Sequence, residues 1–343
     1  NPGEIIVVNT KTGEILEGMD VERSIVEGTP INFVPLSSSR ILVPEASAAR
    51  YEFVGKLDER LTSFGWTADR KRAVINMLKE GKEPITSMGN GRPLAVLSQN
   101  HPTLFKYFQQ IVAVVTNPPV DPIREKGAFD LTTYLGRIPG ISEVRHDYRV
   151  YEQYKLESPF LTDSELKAIM DHSEEERQTD HRKYPKAAEI DLSFEGGSAE
   201  QLRERLNQIR DEAIALVKSK KTHIIVLSDR GANGTRLPVP SLLAVSMINN
   251  ALKELGLRRN VSLVADTGEV QEAHDAAVLF AHGANAVNPH MMWHIAYAED
   301  KDSPESEKVK TLRNILDSGL RKIMSKMGIT TLDGYRDSQL FEA

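Results

Sequence analysis

Five residues in the second half of this sequence have the types and placement to do chemistry together: Asp229, Arg230, Asp266, Glu269 and Asn288. They end or follow three short apolar runs, "THIIVLSD", "NVSLVADTG" and "ANAVNP". In parallel α/β folds ligands sit beyond the carboxyl ends of strands. Three carboxylates, a guanidinium and a carboxamide gathered there would form a polar pocket for a phosphorylated or dicarboxylate ligand. The same residue types also cap helices and pair with one another at a sheet rim, so residue types alone leave both readings open.

Other chemistries find less support. His290 and His294 in "HMMWH" share a helix face, but the acid of H-E-x-x-H is missing and no third ligand announces itself. Ser228, His274 and Asp229 can be assembled into a triad on paper, yet G-x-S-x-G is absent. No phosphate-cradling glycine motif follows a strand, and "SMGNGRP" lacks the strand–helix context. With no cysteine in 343 residues, the chain brings no thiolate nucleophile, disulfide or cysteine-held cluster. No catalytic residue and no metal ligand is assigned.

Composition bounds the class. The chain is 40% hydrophobic and 27% charged, with 43 basic and 49 acidic residues and a formal net charge of −6. Nothing in that balance calls for nucleic acid. No apolar run approaches the roughly 20 residues that span a bilayer, and no secretion signal opens the chain. The expectation is a cytoplasmic protein without membrane or nucleic-acid partners. Because it starts at Asn1, it is expected to be processed or excised from something longer.

The elements that must position these residues follow from periodicity. "SAEQLRERLNQIRDEAIALVKSK" places Leu202, Leu206, Ile209, Ala213, Ile214 and Val217 at helical spacing. "PSLLAVSMINNALKELG" and "EVQEAHDAAVLFAHG" read as further helices between the three strand-like runs. That alternation predicts an α/β fold, a mostly parallel sheet flanked by helices. "NPGEIIVVNTKTGEILEG" reads as a short N-terminal β-hairpin. Residues 19 to 64 read as a wrapping connector, Ala68 to Gly81 as a helix capped by Thr67, and 82 to 98 as a loop and then a strand or turn. "HPTLFKYFQQIVAVVT" reads as a helix, and the charge run at 171–183 as a solvated face. The stretch "VTNPPVDPIRE" (115–125) would then stop that helix. Pro118, Pro119 and Pro122, each with φ near −65°, would stiffen it into a strut held by Asp121, Arg124 and Glu125 through charge-assisted hydrogen bonds to neighbouring loops.

Several runs in order, "GKEPITSMGNGRPLAVLSQNHPTLFKYFQQIVAVVTNPPVDPIRE", "LESPFLTDSELKAI", "VLSDRG", "PSLLAV", "SLVADTGE" and "GANAVNP", resemble the central domain of glutamate synthases. The first residues are similar to the end of the amidotransferase domain of those enzymes, and "GLRKIMSKMGITTLDGYRDSQLFEA" to the opening of their flavin domain. The resemblance covers essentially the whole chain. It implies three segments: 1–45 as amidotransferase edge and connector, 46–300 as the central α/β domain, and 301–343 as linker and start of the flavin segment. It also implies a barrel-related fold and a connecting role that is not catalytic alone. The parent enzyme would make two glutamates from glutamine and 2-oxoglutarate, with FMN and an iron–sulfur cluster in the adjoining domain and no cofactor on this chain alone. Its partners would be the amidotransferase and flavin domains in cis, or catalytic subunits in trans. Ser87, Met88 and Gly89 are implied to lie against the flavin site. Asn249–Asn250, Asp266–Thr267, His274–Asp275 and "KGAFDL" depart from the family's pattern at or near the strand-end loops. An independent small enzyme and a separate assembly subunit remain the alternatives.

Overall fold

The computed structural model describes residues 6–21, 23, 41–42, 57–83, 97, 102–111, 120–138, 153–175, 185–299 and 307–343. Two compact units divide the chain: residues 1–39 with 148–150, and residues 40–147 with 151–343. In the first, β1 (Ile6–Val8) and β2 (Ile15–Glu17) form the expected antiparallel hairpin, with Val8 opposite Ile15. Asn9 builds the turn, its Oδ1 accepting from the Lys11 and Thr12 amides, and Gly13 supplies φ +75°.

The second unit opens with β3 (Ile41–Leu42), α1 (Leu57–Ser63) and α2 (Ala68–Glu80). As expected, the Thr67 hydroxyl caps α2 by accepting from Arg70 N, and Gly81 closes it at φ 69°. A 3-10 turn (Leu104–Tyr107), β4 (Gln109–Gln110), α3 (Pro122–Ala128), β5 (Thr133–Leu135), β6 (Gln153–Leu156) and α4 (Asp163–Glu175) follow. Then come β7 (Ala187–Asp191), β8 (Ser193–Glu195), α5 (Ala199–Lys218), β9 (Ile224–Ser228), β10 (Arg236–Pro238) and α6 (Ser241–Glu254). The chain ends with β11 (Ser262–Asp266), α7 (Ala273–Ala281), β12 (Ala286–Asn288), α8 (His290–Ala298), α9 (Glu307–Met327), α10 (Leu332–Tyr335) and β13 (Phe341–Glu342).

The parallel sheet is the centre of this unit, in the order β12-β11-β9-β7. All of β9, β11 and β12 is buried, which is why these strands read as unbroken apolar runs rather than alternating ones. Register sets the chemistry: Asp191 pairs with Ser228, Ser228 with Asp266, and Asp266 with Asn288. The last residues of four strands therefore lie level along one edge. β7 comes from the mixed region whose pattern gave no strand, since its Glu189 interrupts the apolar run.

Two expectations change. Within the run expected as a helix from 101 to 116, the described residues 102–111 make a single 3-10 turn around buried Phe105 and then extend. Gln109 and Gln110 pair with β13, and Ile111 N donates to Leu340 O at 2.8 Å, so inter-strand bonds replace the i→i−4 ladder. The connector of 19 to 64 contains helix α1, whose Leu57 and Leu61 lie four apart and pack into the core with Phe64.

Candidate functional site at the strand ends

Each strand-end side chain is placed by the residue before it in the sheet. Asp266 closes β11, and both its carboxylate oxygens are engaged: Ser228 Oγ donates to Oδ2 at 2.8 Å, Arg230 Nε to Oδ2 at 2.8 Å and Arg230 Nη2 to Oδ1 at 3.0 Å. This is the bidentate geometry in which a guanidinium binds a carboxylate best. Arg230 Nη2 also reaches Asp163 Oδ1 at 2.5 Å. Asp163 is the first residue of α4, carried there because Pro159–Leu161 runs beside β12 with Leu161 N donating to Val287 O. A capping box starts that helix, Thr162 N donating to Glu165 Oε2 and Glu165 N to Thr162 Oγ1. Asn288 Nδ2 donates to Asp163 Oδ1 at 3.0 Å.

Asp229 lies one position beyond β9 and is completely buried. It accepts from Thr267 Oγ1 at 2.6 Å and from Gly268 N at 3.0 Å, and His290 Nε2 lies 2.7 Å from its Oδ1. Burial pushes its carboxyl up to about 7. Burial likewise holds His290 well below the ordinary imidazole value, with Arg230 adding to the effect, and brings His294 to about 4. Burial opposes the charge of Asp163 too, but Arg230, then His294 and Asn288, outweigh it and hold that carboxyl below its usual value. Around one arginine, then, Asp163 favours its charged form and Asp229 its neutral form.

The site is covered from above by the segment that leaves α1. Arg60 Nη2 donates to Arg230 O at 2.8 Å, and Trp66 Nε1 to Gly268 O at 2.7 Å. The Phe64 ring meets His290 edge-on at 5.4 Å between centroids. A Cβ on Gly268 would lie 2.6 Å from the Phe64 ring, so only glycine lets the backbone pass beneath it.

Of the five candidate residues, Arg230, Asp266 and Asn288 meet in one network through Asp163, while the Asp229 side chain lies beside it, bonded to Thr267, Gly268 and His290. Glu269 turns away to accept from Ser241 N and Oγ at the start of α6, both at 2.7 Å. Burial, with Asp229 nearby, pushes Glu269 up to about 7. Asp163 was not foreseen as a member, although a T-x-x-E capping signal marks its helix. His290 and His294 were weighed only as metal ligands. Among the described residues no group of three or more His, Asp or Glu is placed to hold a metal ion. No helix among them is long and apolar enough to cross a membrane.

Ser87, Met88 and Gly89 lie outside the described residues, as do Pro118 and Pro119. The described end of the proline run is a helix start rather than a strut bonded to neighbouring loops. Asp121 is the N-cap of α3, its Oδ1 accepting from the Ile123 and Arg124 amides at 3.0 Å, with Pro122 at the first position. Among the described residues, Arg124 pairs only with Asp121, at 3.3 Å and largely in solvent. Glu125 is buried and lines a groove of about 650 Å³ beside α9. In that groove Ser158 Oγ donates to Asp317 at 2.6 Å, and burial pushes Asp317 up to about 6.

A second charged cluster surrounds the start of α7. Lys106 bonds both Glu272 and Asp275, Arg70 reaches Glu272 at 3.1 Å, and Glu83 accepts from Ala273 N at 3.1 Å. Burial, and then Glu272 and Asp275, push Glu83 up to about 7.

Comparison with known proteins bears on the whole chain. The sequence profile described as "Glutamate synthase central domain" matches residues 59–343. The large chain of glutamate synthase [NADPH] from Bacillus subtilis is 32% identical over 100% of this chain, which covers 22% of that protein. Ferredoxin-dependent chloroplastic glutamate synthase from Oryza sativa is 33% identical over 99% of this chain and 22% of its own length. The chain thus spans about a fifth of the length of these relatives. Part of the chain, 51% of it, superposes on a flavocytochrome b2 variant with pyruvate bound, at a TM-score of 0.37 and 16% identity over 38% of that chain. A likeness of that degree carries no weight.

Proposed function

Because this chain belongs to the glutamate synthase central domain family, we propose that it is the connector and scaffold of a glutamate synthase-type flavoenzyme. In this reading it links an amidotransferase domain to a flavin domain in cis and is not catalytic alone. Residues 1–45 are the edge of the former, 46–300 the central domain, and 301–343 the approach to the latter. The parent enzyme converts glutamine and 2-oxoglutarate to two glutamates reductively. Flavin and an iron–sulfur cluster belong to the neighbouring domain. This chain has no cysteine to ligate a cluster, and the strand-end guanidinium of Arg230 is paired with the carboxylates of Asp163 and Asp266. Ser87, Met88 and Gly89 provide its contact with the flavin site.

One observation supports this reading above the others. At the strand ends, where an α/β enzyme holds its ligand, Arg230 is occupied by Asp163 and Asp266. Phe64, Trp66 and Arg60 cover the site from the chain's own α1–α2 segment. The work done by these residues is therefore cohesion. The test is to isolate the native species with an antibody against this chain. The expected species is several times longer than 343 residues, carries flavin, and forms glutamate from glutamine and 2-oxoglutarate. A free 343-residue species with its own turnover would overturn the proposal.

A further inference from the structure

Among the described residues, three buried atoms at the strand ends have no hydrogen-bond partner: Asp163 Oδ2, Asn288 Oδ1 and His290 Nδ1. Their residues are fully buried and adjoin one another. Asn288 Nδ2 bonds Asp163 Oδ1, and Asn288 and His290 flank Pro289 at the start of α8. One turn on, His294 Nε2 stands 3.9 Å from Asp163 Oδ2, and its ring is 6.1 Å from that of His290. Turning the Asn288 amide over would set its oxygen against Asp163 Oδ1, so its orientation is fixed. Three unpartnered polar atoms on adjoining, fully buried residues call for a guest.

The nature of the guest follows from His290. If Asp229 is ionised, His290 Nε2–H donates to it and Nδ1 is an acceptor. If Asp229 carries the proton, it donates to Nε2, and Nδ1–H becomes a donor. Only a molecule that both donates and accepts serves Nδ1 in both forms. An ammonium or metal ion cannot accept from Nδ1–H. We propose that a buried water is an integral part of this site, bonded to Asp163 Oδ2, Asn288 Oδ1 and His290 Nδ1, and that it joins Asp229 to Asp163 through His290 as one hydrogen-bonded chain.

The count of hydrogens selects a state of that chain. Water offers two donors. With Nδ1–H donating to it, the water donates to Asp163 and Asn288, and every group is satisfied. With Asp229 ionised, three acceptors compete for two hydrogens and one goes without. The chain is thus complete when the proton rests on Asp229 and His290 is the Nδ1–H tautomer. Arg230, Arg60, Asp266, Glu269 and His294 are the other titratable or charged groups around it.

Two measurements on the unmodified chain test this. A crystal structure at a resolution that orders internal solvent should show one peak within hydrogen-bonding distance of all three atoms. An empty site, or a His294 ring bonded directly to Asp163 Oδ2, would sink the idea. Nitrogen NMR of His290 should report the Nδ1–H tautomer at pH 6 and a shift towards Nε2–H by pH 8. The Nε2–H tautomer at pH 6 would refute the chain even if a water were present. Neither readout uses enzyme activity, so both stand apart from the proposed function.

Discussion

The strand-end network and the cluster around the start of α7 are built from the same kinds of residue, yet they differ in construction. At the strand ends one arginine serves two carboxylates, Asp163 and Asp266, in near-complete burial. Around α7 the cations are duplicated: Lys106 and Arg70 share Glu272, and Lys106 also holds Asp275. The first has no redundancy. The second has some: Lys106 is as exposed at the side chain as Arg230, at 18%, but Arg70, 40% exposed, stands beside it on Glu272. A buried charge network is fragile in proportion to how few groups of one sign it contains.

The sharpest way to break the comparison is to remove the single cation. Arg230→Met strands two buried carboxylates and should cost about 3–5 kcal/mol in denaturant unfolding; a loss below about 1 kcal/mol would mean the carboxylates find other partners. Gly268→Ala should follow, at about 1–3 kcal/mol, because the new Cβ meets the Phe64 ring. Phe64→Leu in the same chain should recover part of that loss, and no recovery would show that the close approach is not to Phe64. Lys106→Met should cost less than Arg230→Met, since Arg70 remains on Glu272. Equal losses would erase the distinction between the two clusters.

A pH series sharpens it further. Asp229, Glu269 and Glu83 are each raised to about 7. These groups hold more protons folded than unfolded, and their contribution fades as pH rises through 7. His290 and His294 are lowered and act oppositely, but only below the ordinary imidazole value near 6.5. Stability should therefore fall between about pH 6.5 and 8, on the order of 1 kcal/mol per unit. A flat or rising profile in that window would contradict it. The smallest effect expected is from Arg124→Ala, within about 0.5 kcal/mol, because its pair with Asp121 lies in solvent.

Much of the strand-end site was legible in the sequence. Asp229, Arg230, Asp266 and Asn288 each end or follow a buried strand, and parallel register brings such positions level. Asp163 was not legible, since it reaches the site through an isolated bridge between Phe160 and Val287 rather than a strand. Glu269 read as a member because of its position, but a helix start at Ser241 competed for its carboxylate and won. The α7 cluster was out of reach, because Lys106 and Asp275 lie 169 positions apart. The departure from a helix at 102–111 has the same origin: the partner of β4 is β13, far along the sequence, and no local pattern announces it.

That partner has a consequence for how the protein is made. β4 at Gln109–Gln110 finds its mate only at Phe341–Glu342, and Asp130 N donates to Thr330 O. The front of this unit therefore stays incomplete until its last residues leave the ribosome, over two hundred codons later. Through that interval Phe105 and the β4 edge are exposed to whatever else the cell offers, which is when chaperones have most to do.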